Sequence, residues 1–159
     1  MSTTSTQQTD PRDIIGALNK CIEICTDGEK GYAAAAADVR APDLKALFQA
    51  KSKERADFVL ALQAALQKLG AFSENEGTAR GTAHRGWVGA RLALEGRKDR
   101  VVVEECARGE QMALKAFEKA LMRAPLVTLP QDLRTMLQHQ YTAIKTGLEV
   151  VRQHLTTVH

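Results

Sequence analysis

PRDIIGALNKCIEICTDGEKGYAAAAADV, residues 11–39, is the stretch whose reading decides the fold. Asp10 stands before it as a cap, and Pro11 suits a first helical turn, where its missing N–H needs no partner. Apolar or small residues recur at Ile15, Leu18, Ile22, Cys25, Tyr32, Ala36 and Val39. The steps alternate between three and four, which predicts a long helix with one seam packed in a bundle. One member of the series is missing: the step after Cys25 lands on Glu29.

The same pattern repeats outward from this helix. Arg40-Ala41-Pro42 is a break, and a second helix with Asp43 in its first turn runs to about Leu69, stopped by Gly70. Its stripe is read as Leu44, Leu47, Phe58, Leu62, Ala65 and Leu69, with Glu54 on the Leu47 side. A polar loop leads to a shorter helix, about Ala79 to Leu94, with His84, Arg85 and the only tryptophan, Trp87. The next long helix spans about Asp99 to Arg123, with a seam of Val103, Cys106, Glu110, Ala113, Phe117 and Leu121. Pro125 and Pro130 frame a connector. The last helix, about Gln131 to Leu155, turns Leu133, Leu137, Ile144, Leu148, Val151 and Leu155 inward, with Gln140 in the seam.

Four long helices with one apolar stripe each predict an all-α four-helix bundle. The short helix would span about 24 Å, enough for a crossover along the bundle between the second and third long helices. That connection is the ferritin-like topology. Residues 1–9 are expected to be a disordered tail, and 10–156 a single domain.

Composition limits the function classes. Apolar residues make up 44% of the 159 positions and aromatics only 4%, which suits alanine- and leucine-rich helix interfaces better than strands. A net charge of +3, spread along the chain, gives no nucleic-acid footprint. No apolar run is long enough to cross a bilayer, and the polar start does not resemble a secretory signal, so a cytoplasmic location is expected. Cys21, Cys25 and Cys106 form no CxxC pair and are expected to be reduced core thiols.

The chemistry lies in the polar interruptions of the seams. Counting along antiparallel helices puts Glu29, Glu54 and Glu110 near one level, with Asp57 three residues from Glu54 and Gln140 and Tyr141 opposite. Three buried carboxylates in one layer repel unless something positive joins them or some bind protons. One solution is a metal, iron or manganese, held by Glu29, Glu54, Asp57 and Glu110 with Gln140 and Tyr141 in support. The other is neutralisation by the protein: Lys51, Arg55 and Arg108 are close in sequence, and Gln140 and Tyr141 can donate hydrogen bonds. Di-iron bundles use two Glu-x-x-His motifs. Here Glu54-Arg55-Ala56-Asp57 and Gln140-Tyr141-Thr142-Ala143 supply neither histidine.

Leu18-Asn19-Lys20, Cys25 through Tyr32, Glu54-Arg55, His84-Arg85-Gly86-Trp87, Glu105 through Glu110 and Gln140-Tyr141 together resemble the recurrent stretches of a family of small bacterial ferritin-like four-helix-bundle proteins of unknown function. The resemblance covers nearly the whole chain after the tail. It implies the fold and the layer of Glu29, Glu54 and Glu110, and it implies no established activity. The expectation is a non-enzymatic bundle that binds a metal in stress or metal handling. A di-iron oxidase and a metal-free structural or interaction bundle are the alternatives. The partner expected, if there is one, is a second copy of the chain.

Overall fold

A computed structural model describes residues 9–71, 96 and 98–158. Four long helices account for most of these: α1 (Pro11–Asp38), α2 (Pro42–Lys68), α3 (Asp99–Arg123) and α4 (Gln131–His154). A short 3-10 turn, Leu126–Thr128, lies between α3 and α4. The described residues contain no strand. The expected crossover helix, about Ala79 to Leu94 with His84 and Trp87, and all of the expected tail but Thr9 lie outside the described residues.

The ends of the helices follow from local chemistry. The Asp10 carboxylate accepts the Arg12 N–H at 2.9 Å, and Pro11 begins the first turn of α1. At the end of α2, Gly70 takes φ +73°, open to glycine without a Cβ clash. Gly70 N–H then bonds to Gln67 O and Ala71 N–H to Leu66 O, both at 3.0 Å, so two carbonyls of the last turn find donors. Asp99 ties two ends together. Its carboxylate accepts the backbone N–H groups of Arg40 and Ala41, at 2.8 and 2.9 Å, in the turn between α1 and α2.

α1 packs against α2 and α3, and α4 packs against α3 and α2. Side-chain pairs give the directions. Asp13 meets Arg123 while Arg40 meets Asp99, so α1 and α3 are antiparallel. Tyr141 reaches Glu118 and Arg152 reaches Gln111, so α3 and α4 are antiparallel. Gln140 lies by Phe58 and Gly147 by Lys51, so α2 and α4 are antiparallel too. α2 and α3 therefore run the same way, and Ala71 and Lys98 lie at opposite ends of the bundle.

The core is two apolar clusters stacked along the axis. One gathers Leu18, Cys25, Phe58, Leu62, Phe117 and Ile144. The other gathers Tyr32, Leu44, Phe48, Val103, Leu148 and Val151. The seams of α1 and α4 are largely as read from the sequence; in α3, Val103, Glu110 and Phe117 are buried as read, but Cys106, Ala113 and Leu121 are half-buried and Val102, Ala107 and Ala120 are buried instead. In α2, Leu44, Phe58 and Leu62 are buried as read and the other members shift by one residue. Phe48, Arg55 and Leu66 are buried, whereas Leu47 and Ala65 are half-buried and Leu69 is 40% exposed. Leu44, Phe48, Arg55, Phe58, Leu62 and Leu66 keep steps of three, four or seven, and so form one stripe.

Leu62 and Ile144 are fully buried in the first cluster. We expect Leu62→Ala and Ile144→Ala each to lower the unfolding free energy by about 2–5 kcal/mol. Leu69→Ala should change it by no more than about 0.5 kcal/mol. Urea unfolding followed by circular dichroism checks all three, and an equal loss at Leu69 would restore the register read from the sequence.

Candidate functional site

Between the two apolar clusters each helix contributes one unusual residue. α3 contributes Glu110, 3% exposed, which breaks its seam between Ala107 and Phe117. α2 contributes Arg55, 1% exposed, between Phe48 and Phe58. α1 contributes Tyr32, and α4 contributes Gly147.

Glu110 Oε1 receives two donors. Arg55 Nη2 donates at 2.5 Å and the Tyr32 hydroxyl at 2.6 Å. Charge-assisted bonds of this kind are short and strong. Arg55 reaches Glu110 by passing under Gly28 of α1, where a Cβ would come within 3.2 Å of its Cγ. Its guanidinium carbon also lies 5.7 Å from the centre of the Phe58 ring, within range for a cation–π contact. Burial works against the Arg55 charge, but the Glu110 carboxylate outweighs it, so the guanidinium holds its proton more firmly than usual. Burial, reinforced by Glu110, likewise drives the Tyr32 hydroxyl far above its ordinary range, and it remains a donor.

The other oxygen, Glu110 Oε2, is buried without a hydrogen-bond partner, as is Arg55 Nη1. A Cβ on Gly147 would lie 3.7 Å from Glu110 Oε2 and 3.1 Å from Lys51 Nζ. The missing side chain at Gly147 therefore makes room for the Lys51 ammonium on the open side of the carboxylate. Lys51 itself is paired with Glu54 at 3.4 Å.

The residues expected to share a layer are distributed unevenly around this pair. Glu29 is half-buried, and its backbone carbonyl accepts the Ser52 hydroxyl at 2.9 Å. Glu54 is half-buried, between Lys51 and Arg55 Nη1, the latter at 3.8 Å. Asp57 is exposed and lies 3.9 Å from Lys53. Gln140 is buried seven residues from Gly147, and its Nε2 faces the Phe58 carbonyl at 3.5 Å. Tyr141 donates to Glu118 at 2.8 Å, away from the layer. Arg108 pairs with Glu105 on the surface. Among the described residues, no three of His, Cys, Asp or Glu are grouped to hold a metal ion. The sequence reading of α2 placed Glu54 in the seam, where the structure has Arg55. The signal for Arg55 was present in the heptad Phe48, Arg55, Leu62.

The thiols take no part in this polar set. Burial pushes Cys25 and Cys106 up to about 12 and raises Cys21 further. Thiols held protonated are poor nucleophiles and poor metal ligands.

Fold and site together define a class: an all-α four-helix bundle whose core is divided by a buried Arg–Glu–Tyr cluster. Residues 13–123 match the model of a family described as a domain of unknown function (DUF2383), and the chain belongs to that family. The matched span includes Tyr32, Arg55 and Glu110. No curated protein matches the chain.

Removing one half of a buried ion pair leaves the other charge without compensation. We expect Glu110→Gln and Arg55→Met each to cost about 3–5 kcal/mol. The triple replacement Tyr32→Phe, Arg55→Met, Glu110→Leu should recover most of the loss, since no charge or hydroxyl is then stranded. Chemical denaturation of the three variants checks this, and additive losses would show that the groups act separately. The thiols supply a further check. In native protein near neutral pH a disulfide reagent should label Cys21, Cys25 and Cys106 slowly, and all three should react promptly in denaturant.

Proposed function

We propose that this protein is a non-enzymatic bundle, ferritin-like in its wiring, that serves as a structural or protein-interaction module without a resident metal in its middle layer. The Arg55 guanidinium on Glu110 is the observation that carries this reading. A metal-binding layer needs uncompensated carboxylates, and here the most buried one already has a cation. A divalent ion beside Glu110 would meet Arg55 and, across Gly147, the ammonium of Lys51. Repulsion from two positive charges at low dielectric opposes binding. The ferritin-like wiring is supported by antiparallel neighbours and by α2 and α3 running in parallel with their joined ends far apart.

Elemental analysis of protein purified without chelator, followed by iron(II) and manganese(II) titration, tests the reading. We expect metal well below one equivalent per chain and iron oxidation no faster than background. A stoichiometric metal that is lost in Glu110→Gln would establish instead the site of Glu29, Glu54, Asp57 and Glu110. Oxidation saturating at about two irons per chain, as a paired site would give, would establish an oxidase.

A further inference from the structure

Between α1 and α3, outside the Arg55–Glu110 pair, lies a cavity of about 440 Å³. That is within the range of small-molecule sites. Two of its lining residues, Gly31 and Gly109, are glycines in helix interiors, which weaken a helix relative to alanine. A Cβ at either would meet no atom within 4 Å. Packing among the described residues therefore does not require glycine at these two positions, and the absence of side chains there keeps the cavity open.

The charges around the cavity are unevenly matched. Lys20 is paired with Glu23 at 3.3 Å, and Glu105 with Arg108. Arg55, on the floor, is committed through Nη2 to Glu110 but keeps Nη1 without an acceptor. Asp27 lines the cavity and has no ion pair among the described residues. The side chain is exposed at the edge of the cavity, where partial burial and then the charge of Glu23 push its carboxyl above the usual range while Lys20 works the other way. A carboxylate outside any ion pair, at the edge of apolar walls such as Ile24 and Ala113, favours a cation with an apolar body. An anion finds no unpaired cationic side chain at this site.

We propose that the α1–α3 cavity binds a small organic ammonium compound, with its cation on Asp27 and its apolar body between Ile24 and Ala113. The site stands apart from the question of a metal in the middle layer, since it uses a different face of the pair.

Tyramine serves as the probe and 4-ethylphenol as its uncharged counterpart. Each is titrated into the full-length, isotope-labelled chain and followed by amide chemical shifts. Saturable shifts with tyramine should centre on the α1 and α3 residues that line the cavity. 4-Ethylphenol, and tyramine with Asp27→Asn, should bind about tenfold more weakly, the size of one charge-assisted hydrogen bond. Gly31→Leu, which fills the cavity and should melt no lower than the parent, should abolish binding. If that variant unfolds, the surface change Asp27→Asn decides alone. Absence of saturable shifts with tyramine, or tyramine binding unaltered by Asp27→Asn, overturns the proposal.

Discussion

A buried charge in a helical core is tolerated only when an opposite charge is held against it, and Arg55 on Glu110 meets that requirement. The two residues come from α2 and α3, 55 positions apart in the chain, so the pair constrains how the helices are arranged. Arg55 has to pass under α1, and Gly28 leaves the room. Tyr32 has to face inward to supply its hydroxyl, which places the alanine-rich end of α1 against Phe48 and Val103 in the second apolar cluster. Gly147 has to lack a side chain because Lys51 Nζ and Glu110 Oε2 both approach the place a Cβ would take. Small residues in two helices, Gly28 of α1 and Gly147 of α4, are thus accounted for by one interaction between the other two.

Such a pair need not contribute more to stability than an apolar replacement of the same shape. What it supplies is register. If α2 turned by one residue, Leu47 and Glu54 would face the core, and two carboxylates would lie together without a guanidinium. That is the arrangement in which a metal would be needed. The difference between a metal-requiring layer and a self-neutralised one is therefore a rotation of about 100° in one helix.

The helices were legible in the sequence almost to their ends, because caps, prolines and Gly70 mark them chemically. Tyr32 and Glu110 were legible because each continues a heptad of buried residues, Cys25 to Val39 in α1 and Val103 to Phe117 in α3. α2 was harder. Leu47 and Phe48, and again Ala65 and Leu66, offer apolar residues to two adjacent stripes, and the correct stripe contains an arginine. Arginine is almost never fully buried unless paired, so one strand of sequence argues against the right register until its partner on α3 is known. The level on α4 was misjudged for a related reason. Gln140 draws attention as a polar seam residue, while Gly147, which faces Glu110, carries no side chain to notice. The resemblance to a ferritin-like family drew the same attention to Glu54 and Gln140, whereas the family match itself ends at Arg123, before α4 begins.

The order in which the chain can assemble follows from where the paired residues sit. α1 with α2 and α3 with α4 are hairpins of nearby sequence, and their contacts close short loops, which is fast. Arg55 belongs to the first hairpin and Glu110 to the second, separated by 55 residues. Within the first hairpin Arg55 has only the half-buried Glu54, at 3.8 Å, and its short bond to Glu110 joins the two hairpins. Docking must therefore strip water from a guanidinium and a carboxylate at the same moment that it brings them together. A misaligned encounter would leave both desolvated and unpaired, so the pair penalises non-native alignments of the two halves.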